Sequence, residues 1–189
     1  MLIKAKTGEQ AVAAVEMNGS CASSVSGGGM FRVECFDSEG NLKWSDYVHN
    51  LVVNEGLEFM NEQFFSGSTY TATWYLGLIS GPGPSTITAS DVLASKAWAE
   101  FTDYTGDRKE VTFGAASLAD PSVISNTVVP SEFVITGGGG TVAGAFLTNV
   151  DSGSSGVLFS ASDFEAPGDR AVVANDTIRV TYEFSLAAT

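Results

Sequence analysis

His49 is the one histidine in the 189-residue chain. Acid–base chemistry near neutral pH would therefore centre on it. A Ser-His-Asp hydrolase also needs a serine held on a sharp turn, and no Gly-x-Ser-x-Gly elbow stands near a partner for His49. His49 is read as a structural or surface residue. The Gly137–Gly140 run has the flexibility of a phosphate loop but lacks the Lys-Ser/Thr that grips the phosphates and their metal. Glycoside hydrolysis asks for two facing carboxylates. Asp103 with Glu110, or Asp163 with Glu165, can be nominated, but nothing in their spacing singles them out. Asp37, Glu39 and Asn41 alternate like the start of a calcium loop, yet the later ligands and the closing glutamate of an EF-hand do not follow. That stretch reads as a plain turn. Trp74, Tyr75, Trp98 and Tyr104 carry rings suited to stacking on sugars, although tryptophans in a β protein more often anchor a core or an interface. Cys21 and Cys35 form no C-x-x-C pair and join no zinc-spaced cluster. Cys35 falls in an apolar strand pattern and reads as a buried thiol. Cys21 lies among Gly and Ser, and a bridge between the two requires an oxidising compartment. The expectation is no catalytic residue, no metal and no cofactor.

The overall charge points the same way. Acidic residues number 22 against 9 basic, a net charge of -13. Such a surface repels phosphate backbones and anionic lipid, so neither nucleic acid nor a membrane surface is expected as a partner. No apolar run reaches membrane-spanning length. Met1 to Met17 carries Lys4, Lys6, Glu9 and Glu16 without the apolar core of a signal peptide. Charged residues make up only 16% of the chain, below the ~25% of typical domains. Gly, Ser, Thr and Ala replace them, which suits a turn-rich β protein.

The elements that must position these residues are mainly strands. In 178–186, Ile178, Val180, Tyr182, Phe184 and Leu186 alternate with Arg179, Thr181, Glu183 and Ser185. That period of two marks a strand with one dry face, launched by the turn at Asn175-Asp176. Its dry face needs a second layer. Residues 30–37 and 42–48 predict a hairpin about Asp37–Asn41, with Gly40 free to take positive φ. Asn54 reads as an N-cap, and Leu57, Met60, Phe64 and Phe65 as the buried stripe of the one confident helix. Residues 68–80 have bulky side chains on both faces and predict a central strand covered on both sides. Thr88 to Lys96 is read as a short helix. Further strands are predicted over 108–116, 123–129, 132–136, 141–148 and 157–161, and 170–174 is read as leading into the final strand. The fold expected is all-β: an antiparallel, jelly-roll-like β-sandwich with one short α-helix. Residues 1–29 are assigned to a flexible N-terminal arm, in which Ala11–Val15 could make a helical turn, and 30–189 to the sandwich domain.

The order HNLVVNEGL (49–57), TWYLGLISG (73–81), WAEFTDY (98–104), AGAFLTN (143–149) and VVANDTIRVTYEFSL (172–186) resembles a group of small structural proteins of tailed bacteriophages. The resemblance spans roughly residues 30–189, and Asn175-Asp176 stands where the closing turn often has Gly before Asp. It implies a non-enzymatic virion component on the capsid surface, of the decoration or cement type. The implied partners are the major capsid protein and copies of itself, as a homo-oligomer such as a trimer. The alternative is a tail or tail-fibre component binding host carbohydrate. The arm, with Trp98, Phe101 and Tyr104 as apolar anchors, is expected to carry the contacts.

Overall fold

The computed structural model describes residues 24–66, 73–82, 87–164 and 168–188. A hairpin comes first, β1 (Val25–Phe36) and β2 (Leu42–Val52), followed by the helix α1 (Asn54–Asn61), which runs into a π-helical turn, Glu62–Ser66. Next are β3 (Tyr75–Ser80), a 3-10 turn at Leu93–Ser95, β4 (Glu100–Phe101) and β5 (Lys109–Glu110). The chain then forms β6 (Ser122–Ser125), β7 (Ser131–Val134), β8 (Gly140–Thr148), β9 (Leu158–Asp163), β10 (Arg170–Val172) and β11 (Thr177–Ala188). Every pairing is antiparallel, and the fold is the all-β, two-layered one that the alternating pattern predicts.

One layer is β2, β1 and β11, with β6 and β7 both paired along the outer side of β11. The other is β9, β8 and β3, with β4 and β5 along the outer side of β3. β2 belongs to both, because it pairs with β1 over most of its length and with β9 at Leu51 and Val52. At the opposite side a bridge between Tyr104 and Ile135 closes the gap. There the Thr105 amide donates to the Val134 carbonyl at 3.0 Å and the Thr136 amide to Asp103 at 2.9 Å. The layers are thus stitched at both sides, which leaves few ladder groups free to template another chain.

The β1–β11 ladder is the longest, from Val25 opposite Ala188 to Phe36 opposite Thr177. Its inner face brings Phe31, Val33 and Cys35 against Tyr182, Val180 and Ile178, all buried. Each such side chain contributes about 1.5–3 kcal/mol on leaving water. Asn175 holds a left-handed φ of 70° at the turn into β11, a conformation its short polar side chain tolerates. A second core lies on the far face of β3, β8 and β9, where Ile79, Leu93, Trp98, Phe146 and Leu158 pack together. β3 is accordingly covered on both faces, as its two bulky sets of side chains require.

Several expectations are corrected. Gly27–Gly29 is ladder, not arm: the strand begins at Val25, since β11 supplies partners for backbone whose glycines give no hydrophobic signal. The reading of Ala11–Val15 as a helical turn lies outside the described residues, as does the 68–72 part of the predicted central strand. Residues 88–96 form only the 3-10 turn, and the strand predicted over 108–116 shrinks to Lys109–Glu110. The helix keeps only part of its predicted face, with Met60 packed against the core. Gly56 is buried where an added Cβ would lie 2.4 Å from the Phe159 carbonyl oxygen. Leu57, Phe64 and Phe65 face outward instead. The first turn is not capped by Asn54; Val53 precedes it, and Glu55 reaches out to accept from the Leu93 and Leu158 amides at 3.1 and 2.6 Å.

Cys35 is a free, fully buried thiol. Burial, with the Asp176 carboxylate close by, pushes its pKa up to about 12. At pH 8 the thiolate is then ~10⁻⁴ of the total. In a Cys21→Ser protein a thiol reagent should label nothing under native conditions and one thiol per chain in denaturant. Rapid native labelling would show that this end of the sandwich opens.

Candidate interaction surface

The inner face of β11 does not end with the core. Tyr182 is buried, but Phe184 and Leu186, next along the same face, are only half-covered. The reason lies in β1. Opposite Phe184 stands Gly29, and opposite Leu186 stands Gly27, so no side chain fills that side. The two layers part here, and the end of the helical segment forms one wall. The result is an open apolar groove of about 340 Å³, and among the described residues its lining carries no charged side chain. Edge-to-face rings line it, Trp74 to Phe159 at 5.3 Å and Phe159 to Phe184 at 5.4 Å, and Phe59, outside the lining, supports Trp74 at 5.6 Å. Each such contact contributes about 0.5–1.5 kcal/mol beyond area burial, which fixes the groove's shape.

Around the mouth the surface is apolar as well. Phe64 is 71% exposed and Phe65 85%. Leu57 is half-exposed on the same helix, and Leu118 stands fully in solvent on the 114–121 loop that leads into β6. That loop is held at the same end, because Asp120 accepts from the Ala188 amide at 3.1 Å. Large exposed apolar side chains on elements that border one apolar groove make this end a candidate interaction surface.

Beneath the groove a polar contact fixes the layer spacing. The Tyr182 hydroxyl accepts from Asn50 Nδ2 at 3.0 Å and lies 3.3 Å from Ser160 Oγ. Burial holds the phenol well above its ordinary pKa, so it stays neutral. It acts as a strut between β2, β9 and β11.

The residues nominated from sequence are dispersed. Trp98, Phe101 and Tyr104, expected as interface anchors, are core residues of this chain: each is at most 6% exposed. Trp98 packs on Phe146 and Tyr104 on Phe133, so their rings are consumed by the fold and cannot dock on a partner. Of the four aromatics proposed as a sugar platform, only Trp74 lines the groove. Asp103 and Glu110 are exposed and stand on separate elements. Asp163 ends β9 with its carboxyl pushed up by burial and by the charge of Asp169; Glu165 lies outside the described residues. His49 is an exposed side chain on β2 whose backbone carbonyl accepts from Ser162 Oγ. The carboxylate of Asp37 is occupied by its own turn, accepting from the Glu39 and Asn41 amides and the Asn41 side chain. Among the described residues, no three His, Cys, Asp or Glu side chains gather as metal ligands, and no helix is long and apolar enough to cross a membrane.

Sequence reading missed the groove because its key residues are two glycines. Their signal was present: an alternating β11 facing Gly27-x-Gly29 leaves apolar side chains without opposite numbers. No protein-family model, curated protein or solved structure matches the chain.

Proposed function

We propose that the chain is a non-enzymatic virion structural protein, a capsid decoration or cement protein that binds the head of a tailed bacteriophage and stabilises its shell. Its partners in this reading are the major capsid protein and further copies of itself in a symmetric oligomer. The order of residues that resembles phage structural proteins supports it. So does the one observation on which it chiefly rests, an exposed apolar end on an otherwise closed, acidic domain. Many copies each making a modest apolar contact hold a lattice through multivalency, without any single tight site. Contacts pass from the buried Trp98, Phe101 and Tyr104 to Phe64, Phe65 and Leu118. A tail component that binds saccharide remains the alternative, but it loses two of the aromatics it relied on.

Copy number and position in purified virions test this reading. Many copies on the head are expected; a few at the tail would favour the alternative, and none would end both. A Phe64→Ser/Phe65→Ser double variant should keep its stability within about 0.5 kcal/mol, as surface changes do. Its binding to heads should fall at least tenfold in a sedimentation assay. Unchanged binding would remove this end from the contact.

A further inference from the structure

We infer that two copies of the chain join edge to edge through the start of β1, residues Val25–Gly28, about a two-fold axis. This concerns contacts between copies and does not rest on binding to a phage head.

The backbone carries it. β11 pairs with β1 from Val25 onward, whereas β2 pairs with it only from Gly29, opposite Asn50. β2 then turns away to join β9 at Leu51 and Val52. Among the described residues, no strand therefore lies beside Val25–Gly28 on that side. The direction of the unpaired groups follows from β11. The Tyr182 amide donates to Asn126 Oδ1 and the Tyr182 carbonyl accepts from the Asn126 amide, so both point away from β1. Alternate residues share that direction in an antiparallel ladder. Glu183 and Ser185 thus turn their backbone groups to β1, at Met30 and Gly28. Val25 and Gly27 turn theirs to the open side.

Elsewhere such groups are guarded. The 114–117 stretch covers β6, the Gly114 amide donating to the Ser125 carbonyl at 2.9 Å and the Ser117 amide to Val123 at 2.8 Å. Trp44 Nε1 donates to the Ala171 carbonyl of β10. Val25-Ser26-Gly27-Gly28 carries no proline, charge or bulge, the usual devices against edge pairing.

The occupant that fits is the same segment of a second copy. A two-fold axis at Ser26 sets Val25 opposite Gly27 of the second copy, where each offers its free groups to the other. The two exchange both hydrogen bonds, and the Ser26 residues form the close pair between them. The side chains fit as well. Val25 is 73% exposed. Across the seam it meets a residue without a side chain, behind which stand Leu186 and Phe184 of that copy. The net charge of -13 on each copy opposes association, and salt screens it. The seam is short, so the dimer forms at high protein concentration.

Sedimentation equilibrium of the full chain tests this. A monomer–dimer equilibrium is expected, tightening as salt rises towards about 1 M, where the screening length is ~3 Å. Val25→Asp should weaken it by about tenfold or more, since each dimer loses two apolar contacts, with unchanged melting. A second measurement fixes the register. In a Cys21→Ser background, Ser26→Cys should oxidise readily to a disulfide-linked dimer, because the close pair lies within bridging distance. Arg32→Cys, on the same strand and face but beside β2, should not. A strict monomer, the result if the edge is covered within its own chain, overturns the inference. So does association that Val25→Asp leaves unchanged, or equal cross-linking at the two positions. A dimer that binds no head would count against the virion reading alone.

Discussion

Replacing Arg108 with methionine is expected to destabilise the protein by about 3–5 kcal/mol, the range found when one partner of a buried ion pair is removed. The Arg108 side chain is 3% exposed. Its Nε and Nη2 donate to the two carboxylate oxygens of Glu100 at 2.9 and 2.7 Å. Its remaining donors reach the carbonyls of Val150 and Gly153 at 3.1 and 2.7 Å. The guanidinium also lies 5.2 Å from the centre of the Phe146 ring. One side chain thus ties β4 to the 149–156 loop across the second core. Methionine fills much of the volume but leaves a carboxylate and two carbonyls without donors, and each lost partner costs about 1–3 kcal/mol. At roughly 2–4 °C per kcal/mol for a chain of this size, Tm should fall by about 6 °C or more. Urea denaturation of Arg108→Met, Glu100→Gln and the double variant gives the coupling. The double variant should cost clearly less than the two single changes added. Strict additivity would mean that the pair does not act as a unit.

The second large effect is expected at Asp176. It is 1% exposed and accepts from Lys43 Nζ at 2.5 Å and from the Val173 amide at 2.9 Å. Cys35 Sγ lies 3.8 Å from the same carboxylate. This one carboxylate closes the turn that launches β11 and joins it to the β1–β2 hairpin. Asp176→Ala should cost about 3 kcal/mol. That is the lower end of the buried-pair range, because Lys43 is 30% exposed and can turn to water. The same change removes a charge that holds the Cys35 thiol protonated, although burial is the larger cause. Native labelling of Cys35 should therefore become measurable, while denatured labelling stays the same. A variant as stable as the original, with an inert thiol, would show that the turn holds without its carboxylate.

The layered fold was readable because burial on one face of a strand writes a period of two into the chain. Ile178, Val180 and Tyr182 obey it and form the core. Short strands such as Lys109–Glu110 were not readable, since two residues carry no period and their pairing with β3 is decided by tertiary contact. The helix was placed correctly, but of its predicted face only Met60 packs against the core. Leu57, Phe64 and Phe65 look like a buried stripe, but Gly56 allows the β9 backbone to approach and turns the helix away. Trp98, Phe101 and Tyr104 show the converse. Their loop-like surroundings suggested exposure, whereas the loop wraps the second layer and its rings plug both cores.

The long β1–β11 ladder has a mechanical consequence. Val25 and Ala188 stand opposite each other at one extremity of it. Tension applied between those two points would break the hydrogen bonds one after another, like a zipper, and the strands would peel at low force. Tension applied between Val25 and Thr177, at the far end of the partner strand, would load the whole ladder in shear and meet far greater resistance. Whatever pulls on this molecule, its direction of attachment decides whether the brick holds.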